Sequence, residues 1–168
     1  SLGAQAFQQE LLDVCGRGHS VADIYEAVDA IKNAGFENFS LDLISGLPHQ
    51  SMADWQDSLQ KAIALEPKHL SIYDLTIEEG TAFGKRYQSG DNPLPTEART
   101  VEMYIFAHEL LPSAGYEHYE ISNYAQSGYQ SKHNLTYWHN QPFYGMGMGA
   151  TSYIDHQRID RPQKMRQY

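Results

Sequence analysis

The sequence predicts an α/β fold in which parallel strands alternate with crossover helices. Two observations carry this prediction: short apolar stretches are separated by amphipathic helical patterns, and a helix-capping signal recurs at the same place in consecutive units. Strand, helix, strand, helix, strand in this rhythm favours parallel pairing through right-handed crossovers. The pattern is typical of a segment of a (β/α) barrel or of an open doubly wound sheet.

The first helix is predicted from a capping box formed by Ser20 and Asp23. Its apolar residues recur at helical spacing and are expected to form the buried stripe: Ile24, Ala27, Val28 and Ile31. Gly35 marks the end of this helix. A strand is predicted on either side of it, at 1–3 and at 39–44.

The unit then repeats. Ser51 and Asp54 form a second capping box, Pro67 lies just past the end of the helix, and a third strand is predicted at 70–75. The second buried stripe is expected to contain Trp55, Leu59, Ala62 and Ile63.

The rhythm breaks after the third strand. Thr96 is predicted to cap a long helix that runs to about Leu111 and carries Val101, Tyr104, Ile105 and His108 on one side. Residues 116–121 are a further strand candidate, and the following stretch has no strong period. We therefore expect two regions: barrel-type βα units at 1–78, and a helix with a following region at 79–168.

Composition excludes several functional classes. Hydrophobic residues make up 41% and charged residues 20%, which indicates a folded, soluble protein. The formal net charge of -9 disfavours a nucleic-acid partner. The single cysteine, Cys15, rules out a disulfide within the chain, and no signal peptide or membrane-span pattern is found. We therefore expect a cytoplasmic protein.

Polar side chains stand near the carboxyl ends of the predicted strands, where ligands bind in parallel βα arrays. Gln5 follows the first strand, Asp42 interrupts the second, and Asp74 and Thr76 end the third, while Arg17 precedes the first helix on the same side. An amide, a cation and carboxylates suit a small zwitterionic ligand that carries hydroxyls. Three alternatives stay open: Asp42 caps a turn, Arg17 is an exposed surface residue, and Gln5 bonds to backbone.

Longer strings are more specific than these single residues. The chain contains S-L-G-A-Q-A-F at 1–7, D-L-I-S-G-L-P-H-Q at 42–50, Y-E-H-Y-E-I-S-N-Y-A at 116–125, H-N-L-T-Y-W at 133–138 and G-M-G-M-G-A at 145–150. Together with Arg17 they resemble the oxygen-independent coproporphyrinogen oxidase family of radical S-adenosylmethionine proteins over essentially the whole chain. The later strings are most similar to the haem-chaperone branch of that family.

The resemblance implies a fragment of a partial (β/α)6 radical-SAM barrel with an α+β extension at its C-terminus. It implies a [4Fe–4S] cluster and S-adenosylmethionine as cofactors, and it places Gln5, Arg17, Asp42 and Ile44 at contacts with S-adenosylmethionine. Thr76 falls at a further contact, which is expected to be made by the backbone. Forked hydrogen bonds from an arginine suit the methionyl carboxylate.

Haem is the second ligand that the resemblance implies. His133 is the candidate axial ligand, with Tyr137 and Trp138 flanking the porphyrin; the alternative is a structural histidine held by hydrogen bonds. Met146 and Met148 are expected to pack between glycines that let strands approach closely. The implied partners are haem and haem-accepting proteins, with peripheral membrane association through those acceptors.

The chain departs from the family pattern at the iron–sulfur cluster. The family holds it with a C-x3-C-x2-C motif, which this sequence lacks, and Cys15 alone cannot replace three ligands. We therefore expect an internal piece of a longer protein, inactive in cleaving S-adenosylmethionine by itself. Two other functions stay open: oxidative decarboxylation of coproporphyrinogen III, and an inert piece whose exposed sheet edge self-associates.

Overall fold

The computed structural model describes residues 1–88 and 90–166. The chain divides into two compact units, Ser1–Gln130 and Ser131–Tyr168. The boundary that we predicted after residue 78 lies inside the first unit, because two later strands complete the sheet of that unit.

The first unit is built on one sheet of five strands. Its elements in chain order are β1 (Leu2–Gln5), α1 (Gln9–Val14), α2 (Val21–Asn33), β2 (Ser40–Ser45), α3 (Met52–Ala64), β3 (His69–Asp74), α4 (Ala82–Arg86), α5 (Glu97–Ser113), β4 (Glu117–His118) and β5 (Asn123–Ala125). The strand order is β1-β2-β3-β5-β4. The first three strands are parallel, as predicted, whereas β5 runs antiparallel to both β3 and β4.

Both predicted capping boxes are present. The Ser20 hydroxyl accepts a hydrogen bond from the Asp23 amide at 3.2 Å, and the Asp23 carboxylate accepts one from the Ser20 amide at 2.7 Å. Ser51 and Asp54 make the same reciprocal pair, at 3.1 and 2.9 Å. Each box satisfies amide groups that the first turn of a helix leaves unpaired, which fixes where α2 and α3 begin.

The core lies between the helices and one face of the sheet. Leu41, Leu43 and Leu70 on that face are fully buried, as are the predicted α3 residues Trp55 and Leu59. The indole of Trp55 donates a hydrogen bond of 2.9 Å to a backbone carbonyl of α5, so this helix also packs onto the core.

The buried stripe of α5 lies on a different side from the one that we singled out. Met103, Ala107 and Leu111, at i, i+4 and i+8, are fully buried, whereas Val101 and Ile105 are about half exposed. Both sets have helical spacing and apolar character, so periodicity alone could not choose between them. The packing of α5 against α3 decides which stripe is buried.

Over its described residues, 131–166, the second unit contains one helix and one hairpin. These are α6 (Lys132–Trp138), β6 (Thr151–Ile154) and β7 (Gln157–Asp160). The hairpin turns at Asp155 and His156, both of which have positive φ, as tight hairpin turns require. The turn was not predicted from the sequence, because Asp-His is not one of the Gly-containing pairs that favour it.

One expectation for this unit is met and another is wrong. A Cβ on Gly145 would overlap the backbone of Thr151, so this glycine does permit a close approach of two segments. Met146 and Met148 do not pack between the glycines; their side chains are 87% and 48% exposed, because the glycines bring backbone rather than side chains together. In the described residues, no helix combines the length and the apolar character that crossing a lipid bilayer requires.

Candidate functional site

The face of the sheet opposite to the core carries a row of polar positions. Gly3 pairs with Asp42, Asp42 with Ser71, and Ser71 with Asn123, so the row crosses four neighbouring strands. Paired residues of adjacent strands project to the same side of a sheet, and the neighbours of Asp42 on its own strand, Leu41 and Leu43, project to the core. We call this side the polar face.

The Gln5 amide lies over the polar face. The backbone of Gln5 has φ +66°, and its side chain is 7% exposed. The amide nitrogen lies 2.5 Å from the position that a Cβ on Gly3 would occupy, so the side chain folds back over Gly3. Because Gly3 pairs with Asp42, the amide and the carboxylate lie on adjacent strands of the same face. Asp42 itself accepts hydrogen bonds of 2.8 and 3.0 Å from the Ser1 hydroxyl.

Of the other three predicted contact residues, one lies on the polar face and two lie in exposed segments of the chain. Ile44 stands two residues after Asp42, on the same face, and is partly buried. Thr76 is exposed, two residues beyond the carboxyl end of β3. Arg17 is exposed in the loop after α1, and its guanidinium makes no salt bridge within 1–88 and 90–166. The structure thus brings Gln5, Asp42 and Ile44 onto one face, and the ligand roles of all five residues stay predictions.

Four residues that sequence reasoning passed over complete the polar face. His69 shares a hydrogen bond of 2.8 Å between its Nε2 and the Tyr119 hydroxyl. Asn123 donates its amide hydrogen to the Glu120 carboxylate, which also accepts a bond of 3.0 Å from the Ser122 amide. His69 is 7% and Asn123 is 4% exposed. For Tyr119, Glu120 and Asn123 the one sequence signal is the string at 116–125, because β5 is too short to show a period.

Burial keeps the imidazole of His69 neutral near pH 7. Burial lowers the pKa of the His69 imidazole below its ordinary value, while the Asp42 and Glu120 carboxylates raise it and the α-amino group of Ser1 lowers it. The net shift is downward, so the ring carries one hydrogen near pH 7 and leaves one nitrogen as an acceptor.

Cys15 stands alone as a possible thiolate ligand. It is the one thiol of the chain, and partial burial raises its pKa against the opposing effect of the Arg17 charge. Across the part of the chain that the structure describes, no group of three or more His, Cys, Asp or Glu side chains is arranged to bind a metal ion.

The second unit carries a series of aromatic side chains around a cavity of about 390 Å³. His133 is exposed and meets Tyr137 edge-on at 4.8 Å between ring centroids, and Tyr137 meets Phe143 in the same way at 4.6 Å. The cavity is lined by Tyr137, Asn140, Phe143, Thr151, Tyr153 and Arg158. The predicted Trp138 is 53% exposed and is not among these lining residues.

Comparison with known proteins identifies relatives along the whole chain. The sequence profile of the Radical SAM superfamily matches residues 1–62. The haem chaperone HemW of Synechocystis is 51% identical over 168 residues, all of this chain and 41% of that protein. HemW of Bacillus subtilis is 40% identical over 92% of this chain. The chain thus spans about two fifths of the length of these curated relatives.

The fold comparison agrees. Coproporphyrinogen III oxidase (HemN) from Escherichia coli, a radical SAM enzyme, matches 99% of this chain and 41% of its own with a TM-score of 0.80 at 20% identity. The archaeal Elp3 of Methanocaldococcus infernus matches 65% of this chain with a TM-score of 0.56. The predicted fold class, part of a TIM-like radical-SAM barrel, is confirmed. Sequence and fold together show that the chain belongs to the HemN-like radical SAM family, which includes the HemW haem chaperones.

Proposed function

We propose that the chain is part of a radical SAM haem chaperone that binds S-adenosylmethionine, a [4Fe–4S] cluster and haem, and delivers haem to acceptor proteins in the cytoplasm. The observation that carries the proposal is the 51% identity to a haem chaperone over every residue of the chain. The likeness to coproporphyrinogen III oxidase, at 20% identity, concerns the fold alone, so the oxidase reading has less support.

The polar face fits S-adenosylmethionine. The Gln5 amide and the Asp42 carboxylate lie on adjacent strands and suit ribose hydroxyls or an amino group. Ile44, partly buried on the same face, offers an apolar surface for the adenine ring. Arg17 is exposed and has no salt-bridge partner in the described ranges, so its guanidinium is available for the methionyl carboxylate.

The residues of this chain do not fit the iron–sulfur cluster. A [4Fe–4S] cluster needs several thiolates, and this chain offers one thiol. The ligands of the cluster would therefore have to come from residues outside this sequence.

The second unit fits haem as cargo. His133 is exposed, and a neutral imidazole is a common axial ligand of haem iron. The edge-on stack of Tyr137 and Phe143 beside it provides aromatic surface for a flat porphyrin. Arg158, which lines the adjoining cavity, can pair with a propionate. Transfer to acceptors, including membrane-bound ones at the bilayer surface, would require the cargo to stay accessible.

A haem titration tests the chaperone proposal. Haem added to the chain is expected to give a Soret band with saturable growth, and His133→Ala is expected to weaken binding about tenfold or more and to shift the band. His139→Ala, an exposed histidine at the end of the same helix, is the matched control and should leave both unchanged. An unaltered spectrum and affinity in His133→Ala would remove this residue as the ligand.

Calorimetric titration with S-adenosylmethionine tests the polar face. Asp42→Asn keeps the shape of the side chain but removes its charge, and it is expected to lower the affinity by about tenfold. Asp29→Asn, on the exposed side of α2, is the control. Equal affinities for the two variants would contradict the role of Asp42. Decarboxylation of coproporphyrinogen III by a longer chain under anaerobic conditions would favour the oxidase over the chaperone.

A further inference from the structure

Two buried polar atoms on the polar face lack a hydrogen-bond partner within the described residues: Nδ1 of His69 and Oδ1 of Asn123. Both side chains are more than nine-tenths buried. Buried polar atoms are almost always paired, because an unpaired one forfeits its hydrogen bonds to water without replacement. Two such atoms on the same face of neighbouring strands indicate a place for a ligand.

The orientation of the Asn123 amide follows from its surroundings. Its nitrogen donates to the Glu120 carboxylate, and the Ser122 amide holds that carboxylate in place at 3.0 Å. Reversing the amide would set its oxygen against a carboxylate, so Oδ1 is the unpaired atom. An amide oxygen only accepts hydrogen bonds, and whatever meets it must donate one.

His69 presents the same kind of atom. Its Nε2 is engaged with the Tyr119 hydroxyl, and the ring is neutral near pH 7 because burial lowers its pKa. The contact with Tyr119 is compatible with either tautomer, and in the one whose Nε2–H donates to the Tyr119 hydroxyl, Nδ1 is left as an acceptor. One ligand group that carries several hydrogens would therefore serve both Nδ1 and the Asn123 oxygen.

The charge around these atoms is negative. The carboxylates of Asp42 and Glu120 both act on the His69 ring, and no lysine or arginine among the described residues contributes to its shifted pKa. The one positive group that does contribute is the α-amino group of Ser1, itself an ammonium. A site with two carboxylates and two neutral acceptors favours a cation that donates hydrogen bonds and repels a carboxylate.

We propose that His69, Asn123 and Glu120 form a subsite on the polar face that binds a primary ammonium group of a small ligand. Asn123 Oδ1 and His69 Nδ1 each accept an N–H hydrogen bond, and the Glu120 and Asp42 carboxylates supply the opposite charge. The subsite is separate from the contacts assigned to S-adenosylmethionine except at Asp42, and it needs neither the cluster nor haem.

Methylammonium is the probe, and sodium acetate at equal ionic strength is its control. The ¹⁵N-labelled chain is acetylated at Ser1, which removes the competing α-amino charge. Methylammonium is expected to shift the His69 ring nitrogens saturably, with a dissociation constant on the order of 10 mM, as suits a ligand of two heavy atoms. The shifts should report hydrogen on Nε2 and none on Nδ1, and acetate should have no effect.

Two variants assign the effect to the subsite. Glu120→Gln keeps an amide oxygen beside Asn123 but removes the charge, and Asn123→Leu removes the acceptor; each should weaken methylammonium binding at least tenfold. Asp57→Asn, a charge change on α3, is the control. Amide spectra verify that each variant is folded. If Asn123→Leu is not folded, the affinity of Glu120→Gln for methylammonium tests the subsite by itself.

Several outcomes would overturn the proposal. These are shifts that never saturate, an equal response to acetate, unchanged binding in Glu120→Gln, or no shift at all, which would mean that water fills the site. Methylammonium is titrated without S-adenosylmethionine, so failure of that cofactor to bind would leave this result intact.

Discussion

The amide nitrogen of Gln5 lies 2.5 Å from the point where a Cβ on Gly3 would stand. A side chain at position 3 and the Gln5 amide therefore compete for the same space on the polar face. Position 3 therefore needs a residue without a side chain, because the end of the Gln5 side chain occupies the space that a Cβ would take.

Gly3→Ala is expected to push the Gln5 amide away from Asp42 and to lower the affinity for S-adenosylmethionine about tenfold, with little loss of stability. The stability should hold because the backbone of Gly3 is not in the left-handed region and the displaced group is flexible. Gly18→Ala is the control, because a Cβ there meets no atom within 4 Å. Calorimetric affinity and the melting temperature, measured for both variants, separate the two effects; equal affinities would contradict the prediction.

Removing either capping box should destabilise the first unit by a similar amount. Ser20→Ala and Ser51→Ala each remove a hydroxyl that accepts from a first-turn amide, and each is expected to cost about 1 kcal/mol in the free energy of unfolding. Urea denaturation measures the loss, with the exposed Ser127→Ala as reference. A loss no larger than that of the reference would show that the boxes do not stabilise these helices.

Tyr116→Phe removes only one hydroxyl group but should clearly lower the free energy of unfolding. The Tyr116 hydroxyl donates a hydrogen bond of 2.8 Å to the Pro67 carbonyl, and the side chain is 2% exposed. Deleting the hydroxyl leaves that carbonyl without its donor, at a cost of about 1–3 kcal/mol. Tyr25→Phe, at an exposed ring, serves as the comparison. Equal unfolding free energies for the two variants would contradict the account.

Stability should fall in mild acid because of His69. Burial lowers the pKa of His69 in the folded chain, and the carboxylates of Asp42 and Glu120 partly offset this shift. Below about pH 6.5 the unfolded chain therefore binds a proton at His69 more readily than the folded chain does. The contribution is complete above pH 6.5 and is lost as the pH falls toward the folded pKa. With the Ser1 amine acetylated, the charge that helps burial to lower the folded pKa disappears, so the folded pKa moves closer to the unfolded value. The loss should still begin near pH 6.5 but should be smaller and end at a higher pH.

The measurement compares unfolding free energies at pH 7.5 and pH 5.0 for the parent chain and for His69→Gln. The pH-dependent loss should be smaller in His69→Gln, whereas His139→Gln, at an exposed histidine, should behave like the parent. Parallel losses in all three proteins would show that other groups control the acid sensitivity.

Local signals in the sequence determined the beginnings of the helices and the parallel half of the sheet. The boxes at Ser20 and Ser51 act within one turn of chain, and the strands on either side of each helix pair in parallel because a helical crossover joins them. The strings at 1–7, 42–50 and 116–125 likewise indicated the family, because each is a run of consecutive residues.

Tertiary structure alone decided how the polar face is completed and which side of α5 is buried. β5 has three residues, and it pairs with β3, which lies more than fifty positions earlier in the chain. No local sequence period therefore predicted that Asn123 would lie beside Ser71. The choice between the two stripes of α5 likewise depends on its packing partner. Helix caps are contacts between near neighbours in the chain, whereas these pairings depend on residues that only the folded sheet brings together.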